Sequence, residues 1–208
     1  MNHQEMIPLF IDPNNLKTIF YGGGRVALRK AIHLKNCKIS VVSKSIRPEL
    51  KKLAFEIKEI EINEESLGLM DQFQVVIAAT DDKLINEHIV SIAKAKGKFV
   101  NSVDGGGNFI IPSMYRRPSF VVCVSTEGRI PVYPPFLIEK INEAFGETYD
   151  EMGSLLQNIR PRCIEEMTSQ KERAAFLNLV VRSPRIWEQL QDKTNEISYE
   201  RCREILEW

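Results

Sequence analysis

Gly22-Gly23-Gly24-Arg25-Val26-Ala27 decides the fold. It follows the apolar residues 16–21 and opens a segment in which Ala27, Ala31 and Leu34 recur at helical spacing. Written as Gly22-x-Gly24-x-x-Ala27, it matches the phosphate turn of a dinucleotide-binding βαβ unit. Gly22 permits the tight turn, Gly24 has no Cβ to block a pyrophosphate, and Ala27 lets the helix lie close to the strand. Unpaired N–H groups of the first helical turn then supply the anion site.

An acidic residue about 20 positions further on usually binds the ribose hydroxyls in such folds. Here the second strand, residues 38–42, runs into Ser43-Lys44-Ser45. Serine hydroxyls can bond a ribose and Lys44 would not repel a 2′-phosphate, so NAD and NADP both remain open at this point.

Outward from the turn, strands and helices alternate through residues 1–112, the pattern of a doubly wound parallel sheet. Residues 48–56 read as a short helix and residues 57–62 as a strand. Residues 74–79 form a near-continuous apolar strand, as expected when both faces are covered. Asp82 can cap the next helix, with Leu84, Ile85, Ile89 and Ile92 as its stripe and Gly97 as its stop. Residues 98–103 return as a strand ending at Asp104-Gly105-Gly106-Gly107. Residues 119–125 form a further strand, and after Pro131, Pro134 and Pro135 a helix is expected from about Phe136. From Tyr149 onward the chain reads as helical, with Ser169–Glu172 as a capping box and Ser183-Pro184 as a helix start.

The chain has 208 residues, long enough for a substantial core, with 28 basic and 28 acidic side chains. That balance gives no global field favouring nucleic acid or an anionic membrane. No apolar run approaches the ~20 residues of a membrane span, and no signal peptide is expected. Cys37, Cys123, Cys163 and Cys202 are scattered without a C-x-x-C pair, and His3, His33 and His88 have no ligand spacing. Reduced thiols in the cytoplasm are therefore expected, with no metal site and no disulfide framework.

In open α/β sheets ligands bind beyond the carboxyl ends of the strands. Residues 22–25, 43–45, 80–82 and 101–104 all fall there. Asp104 is the only carboxylate of the last group. It can serve as a proton acceptor or merely start a glycine turn.

Several short motifs occur in a telling order: Ile7-Pro8-Leu9-Phe10-Ile11-Asp12, the glycine turn with Lys30, Ala78-Ala79-Thr80-Asp81-Asp82 with Asn86, Val100-Asn101-Ser102-Val103-Asp104, Phe109-Ile110-Ile111-Pro112-Ser113 and Val124-Ser125-Thr126-Glu127-Gly128. In these the chain resembles the precorrin-2 dehydrogenases of the siroheme-synthase type. The resemblance implies a Rossmann-type doubly wound parallel sheet (1–112), a small α+β dimerisation region (113–148) and a helical C-terminal domain (149–208). It implies NAD-dependent oxidation of precorrin-2 to sirohydrochlorin by a homodimer, with ferrous iron insertion in some members. The family's conserved aspartate falls on Asp104. Its cofactor contacts fall on Gly22, Gly23, Gly24, Arg25, Val26, Ser43, Lys44, Ser45, Thr80 and Asp81. The turn phosphorylated in some relatives falls on Ser125-Thr126.

Precorrin-2 carries eight carboxylates, so its site needs cations and hydrogen-bond donors. Arg116, Arg117 and Arg129, with Asn101, Ser125 and Thr126, are the substrate-binding candidates, and Lys140, Arg160 and Arg162 are further cations downstream. Two other readings compete: a non-catalytic NAD-sensing regulatory domain, which would not need Asp104, and a Rossmann oxidoreductase acting on another substrate.

Overall fold

In the computed structural model, residues 5–192 and 197–208 are described. The chain forms two compact units, one reaching to Ile111 and the other starting at Pro112.

The first unit holds five strands: β1 (Lys17–Tyr21), β2 (Lys38–Val42), β3 (Glu56–Lys58), β4 (Val75–Ala78) and β5 (Phe99–Ser102). They lie parallel in the order β3-β2-β1-β4-β5. The connecting helices are α1 (Arg25–His33), α2 (Pro48–Leu53), α3 (Glu64–Gly68) and α4 (Lys83–Ala95). Alternation along β1 explains the two layers of helices. Ile19 and Tyr21 join one core with Leu67, Met70, Ile89, Val90 and Ala93, whereas Phe20 joins the other with Ala27, Ala31 and Leu50. The chain leaves β1 toward β2 and returns to β4 on the opposite side. The switch point therefore lies at the carboxyl ends of β1 and β4, where Tyr21 pairs with Ala78.

Three local readings are corrected. The helix expected over 48–56 stops at Leu53, because Ala54 is extended and the Phe55 N–H donates to the Ile39 carbonyl at 2.8 Å. That bond draws the chain into β3 at Glu56, so the strand expected over 57–62 ends at Lys58. Helix α3 was not anticipated. Asn63 caps it, accepting from the Ser66 N–H while the Ser66 hydroxyl accepts from the Asn63 N–H, both at 2.9 Å. Of the expected stripe of α4, Ile85, Ile89 and Ile92 pack on the core, but Leu84 is 74% exposed, and Asn86, Val90 and Ala93 share the buried face. Asp82 and Gly97 do act as cap and stop, Gly97 with φ +66°.

The second unit opens with an antiparallel pair, β6 (Ser113–Arg116) and β7 (Val121–Val124). Only β7 lies within an expected strand, since β6 sits in a segment without clear alternation. Five helices follow: α5 (Tyr133–Ala144), α6 (Glu147–Glu166), α7 (Gln170–Arg182), α8 (Pro184–Gln191) and α9 (Tyr199–Leu206). Helix α5 starts three residues before Phe136, because Pro134 and Pro135 occupy a first turn that needs no N–H partners. Ser169, Ser183 and Ser198 cap α7, α8 and α9 through their hydroxyls. Helices α6 to α9 share one core around Ile159, Cys163, Phe176, Val180, Ile186 and Cys202.

Ala27 is fully buried, where α1 packs on the strands. Ala27→Leu inserts three carbons into that contact, and we expect a loss of about 1–3 kcal/mol in urea unfolding.

Candidate functional site

The site grows from the end of β1. Gly22 has φ +111°, and a Cβ built on it would lie 2.2 Å from the Ala79 carbonyl oxygen. Its N–H donates to the Val42 carbonyl at 2.9 Å. Gly22 thus closes the first turn against the ends of both neighbouring strands. Gly23 is equally constrained: its Cβ would lie 2.2 Å from the Ser45 carbonyl oxygen. The Gly23 carbonyl accepts from the Arg47 N–H at 3.0 Å. The motif assigns no task to that middle glycine, so this packing role was not legible in it.

Gly24 differs. It is the extended N-cap of α1, and its Cβ would meet nothing within 4 Å. Open space therefore lies before the first helical turn, where the N–H groups of Arg25, Val26 and Ala27 have no intrahelical acceptor. Arg25 and Val26 are exposed there. The geometry fits the pyrophosphate of a dinucleotide: two glycines shape the turn, and the third leaves the space.

The end of β2 lies beside this turn. The Ser43 hydroxyl donates to the Ser45 carbonyl at 3.0 Å, which fixes the turn. The Lys44 ammonium is held 2.6 Å from the carboxylate of Glu61, beyond β3. The acid missing from β2 is thus supplied by another segment, a pairing that local sequence patterns did not reveal.

The end of β4 leads to Thr80, Asp81 and Asp82. Asp82 accepts from the Leu84 and Ile85 N–H groups at 2.8 and 3.2 Å, so its carboxylate caps α4. Asp81 is exposed. The Thr80 N–H and hydroxyl lie 3.0 and 2.8 Å from Oδ1 of Asn86, and Nδ2 of Asn86 donates to the Thr80 carbonyl at 3.1 Å. The same Nδ2 donates to Oδ2 of Asp104 at 2.7 Å. Asn86 therefore joins the loop after β4 to the carboxylate after β5. A polar residue on the buried stripe of α4 was the signal for it, because a buried amide needs partners.

On the opposite face of the sheet, the Lys30 ammonium donates to Oδ1 of Asn101 at 2.5 Å, and Nδ2 of Asn101 donates to the Phe109 carbonyl at 2.9 Å. Burial, with Arg29 beside it, pulls the Lys30 ammonium below the usual lysine range. Burial also pushes the Tyr21 phenol well above its ordinary range, and its hydroxyl donates to the Ser66 carbonyl at 3.0 Å.

The remaining substrate candidates belong to the second unit. The turn at Ser125 and Thr126 is closed on itself: Ser125 Oγ accepts from the Glu127 N–H at 2.9 Å, and Thr126 Oγ1 exchanges bonds with Ile130 at 3.1 Å. Arg129 pairs with Glu127 at 2.8 Å. Arg117 pairs with Asp150, which also accepts from Ser119 at 3.1 Å. Lys140 pairs with Glu143, and Arg162 with Glu166, each at 2.7 Å. Among the described residues, Arg116 and Arg160 are the cations of this set without a carboxylate partner. Among the described residues no group of three or more His, Cys, Asp or Glu is placed to hold a metal ion. No described helix is long and apolar enough to cross a membrane.

Residues 9–113 match the family model described as "Putative NAD(P)-binding". The chain belongs to this NAD(P)-binding family. The siroheme synthase of Zymomonas mobilis is 34% identical over 178 residues, covering 83% of this chain and 38% of that protein. The precorrin-2 dehydrogenase of Methanosarcina barkeri is 27% identical over 207 residues, covering 95% of this chain and 90% of that protein. The chain thus spans well under half of the Zymomonas relative and nearly all of the Methanosarcina one. Among solved structures, the chain named "SirC, precorrin-2 dehydrogenase" superposes with a TM-score of 0.75 at 20% identity, covering 97% of this chain and 98% of that one. That likeness shows the Rossmann-type sheet and the helical C-terminal part together.

Gly24→Ala has room for its methyl group, so its melting temperature should stay within about 2 °C of the parent while titrated NAD binds at least about tenfold more weakly. Gly23→Ala meets backbone instead and should lower stability by more than about 2 kcal/mol. Glu61→Gln leaves Lys44 uncompensated. Because both groups are exposed, NADP should gain only about two- to fivefold over NAD in dissociation constant.

Proposed function

We propose that this chain catalyses the NAD-dependent dehydrogenation of precorrin-2 to sirohydrochlorin. The observation that carries the reading is the placement of Asp104. Its carboxylate stands at the end of β5, joined through Asn86 to the Thr80 loop that packs against the glycine turn.

The dinucleotide contributes one thing, acceptance of a hydride from a substrate C–H bond. The chain does the rest. Gly24 and the first turn of α1 would hold the pyrophosphate, and Ser43, Lys44 and Ser45 would border the ribose. Thr80 and Asp81 border the crevice between β1 and β4. Loss of hydride leaves a cation that becomes neutral only when a proton departs, and Asp104 accepts that proton at its carboxylate. Gly105 and Gly106, both at positive φ, follow it without side chains.

Substrate carboxylates need cations whose charge is not already neutralised. Arg116 and Arg160 best meet that condition, with Asn101, Ser125, Thr126, Arg117 and Arg129 as further contacts. The names of the relatives support the substrate class. The same reading includes a cytoplasmic homodimer and the three-part division at 112 and 148, with the middle part in the dimer contact.

Incubation with precorrin-2 and NAD, followed by the absorbance of sirohydrochlorin, tests the proposal. Turnover is expected, and its absence with both NAD and NADP would sink the reading. Asp104→Ala should lose at least about 100-fold in kcat, the usual contribution of a positioned base, while its NAD dissociation constant stays within about twofold.

A further inference from the structure

We infer that Asn86 is the positioning residue of this site: it holds the Asp104 carboxylate as a proton acceptor and ties it to the loop beside the dinucleotide turn. The inference rests on the proposed role of Asp104 as base.

The orientation of the Asn86 amide follows from its partners. The Thr80 backbone N–H can only donate and lies 3.0 Å from Oδ1, whereas the Thr80 carbonyl can only accept and lies 3.1 Å from Nδ2. A flipped amide would oppose donor to donor and acceptor to acceptor. The second N–H of Nδ2 is thereby aimed at Oδ2 of Asp104, 2.7 Å away. An N–H meets only an acceptor, so Oδ2 must present a lone pair and not a proton. Oδ1 is then the oxygen available to take a proton from substrate.

Burial makes the arrangement stiff. Asn86 is 0% exposed, so leaving its second N–H without a partner would cost about 1–3 kcal/mol. Asp104 itself is exposed, so the buried amide is the fixed end of the pair. Among the described residues, no other side chain bonds to that carboxylate. Asp82 is engaged at the α4 cap, and Lys83 pairs with Glu87 at 3.7 Å. Asp81 is exposed, and Lys30 binds Asn101 across the sheet. The turn after Asp104 is anchored too, because a Cβ on Gly107 would lie 2.5 Å from the Val100 carbonyl oxygen.

A structural role alone would make Asn86 matter equally to folding, cofactor binding and turnover. A positioning role separates them. Asn86→Asp keeps the size and replaces the donor facing Asp104 with an acceptor. We expect kcat for precorrin-2 oxidation to fall at least about 100-fold, with KM and the NAD dissociation constant within about threefold. An unchanged kcat, or an equal loss in NAD affinity, overturns the inference. A second measurement needs neither substrate nor an Asn86 variant. In ¹⁵N-labelled protein the side-chain amide resonances of Asn86 should move on Asp104→Ala, while those of Asn101 stay in place. Unmoved Asn86 resonances overturn the inference even if Asn86→Asp fails to fold. Absence of turnover in the parent protein sinks the functional reading instead, and the resonances then decide the Asn86–Asp104 pair alone.

Discussion

Between Gly22 and the carbonyl of Ala79 there is no room for a methyl group. That contact sets how closely the ends of β1 and β4 approach, and the rest of the site depends on it. The loop after β4 sits directly against the glycine turn because of it. The loop in turn holds Thr80, Thr80 holds Asn86, and Asn86 holds Asp104. A phosphate cradle and a carboxylate, separated by 80 residues in sequence, thus belong to one contiguous set of contacts. Parallel strands bring only their carboxyl ends together on one edge, so chemistry can be assembled there without disturbing the two apolar layers.

The polar chain across this edge is more demanding than the apolar core around it. Each net hydrogen bond contributes about 1 kcal/mol, but an unmet buried donor costs more than that. Asn86 meets the demand with both of its ends, and the cores on either face supply the stiffness. A buried polar network that is fully satisfied specifies one arrangement of loops, whereas an apolar contact would tolerate several. A proton acceptor benefits from that uniqueness, since its efficiency depends on position before it depends on basicity.

Much of this was legible in the residues themselves. The apolar strands around 16–21 and 74–79, the glycine turn and the Asp82 cap are local patterns, and each is found where its chemistry predicts. What escaped notice is non-local. Helix α2 stops at Leu53 because the backbone of Phe55 bonds Ile39, and no window on residues 48–56 contains that partner. On α4 the apolar spacing correctly marks Ile85, Ile89 and Ile92 as core residues and fails at one end. Leu84 faces outward and Asn86 lies on the buried face, where apolar spacing alone gives an amide no task. Gly23 escaped for a similar reason: its neighbour is Ser45, from the end of β2.

The ribose corner shows the same principle acting on charge. By sequence, Ser43-Lys44-Ser45 puts a cation where an acid is usual and leaves NAD and NADP both open. In the fold, Glu61 arrives beyond β3 and stands 2.6 Å from Lys44, so the local field is that of a dipole. Selectivity of a dinucleotide site depends on net charge within a few ångströms, not on which strand bears the carboxylate. Both groups are exposed and screened, so the field of the pair is weak. The cations of the second unit follow the same logic in reverse. Arg117, Arg129, Lys140 and Arg162 each stand beside a carboxylate, and the chain's zero formal charge is in part built from such local pairs. Among the described residues, Arg116 and Arg160 are the cations of that set without such a partner.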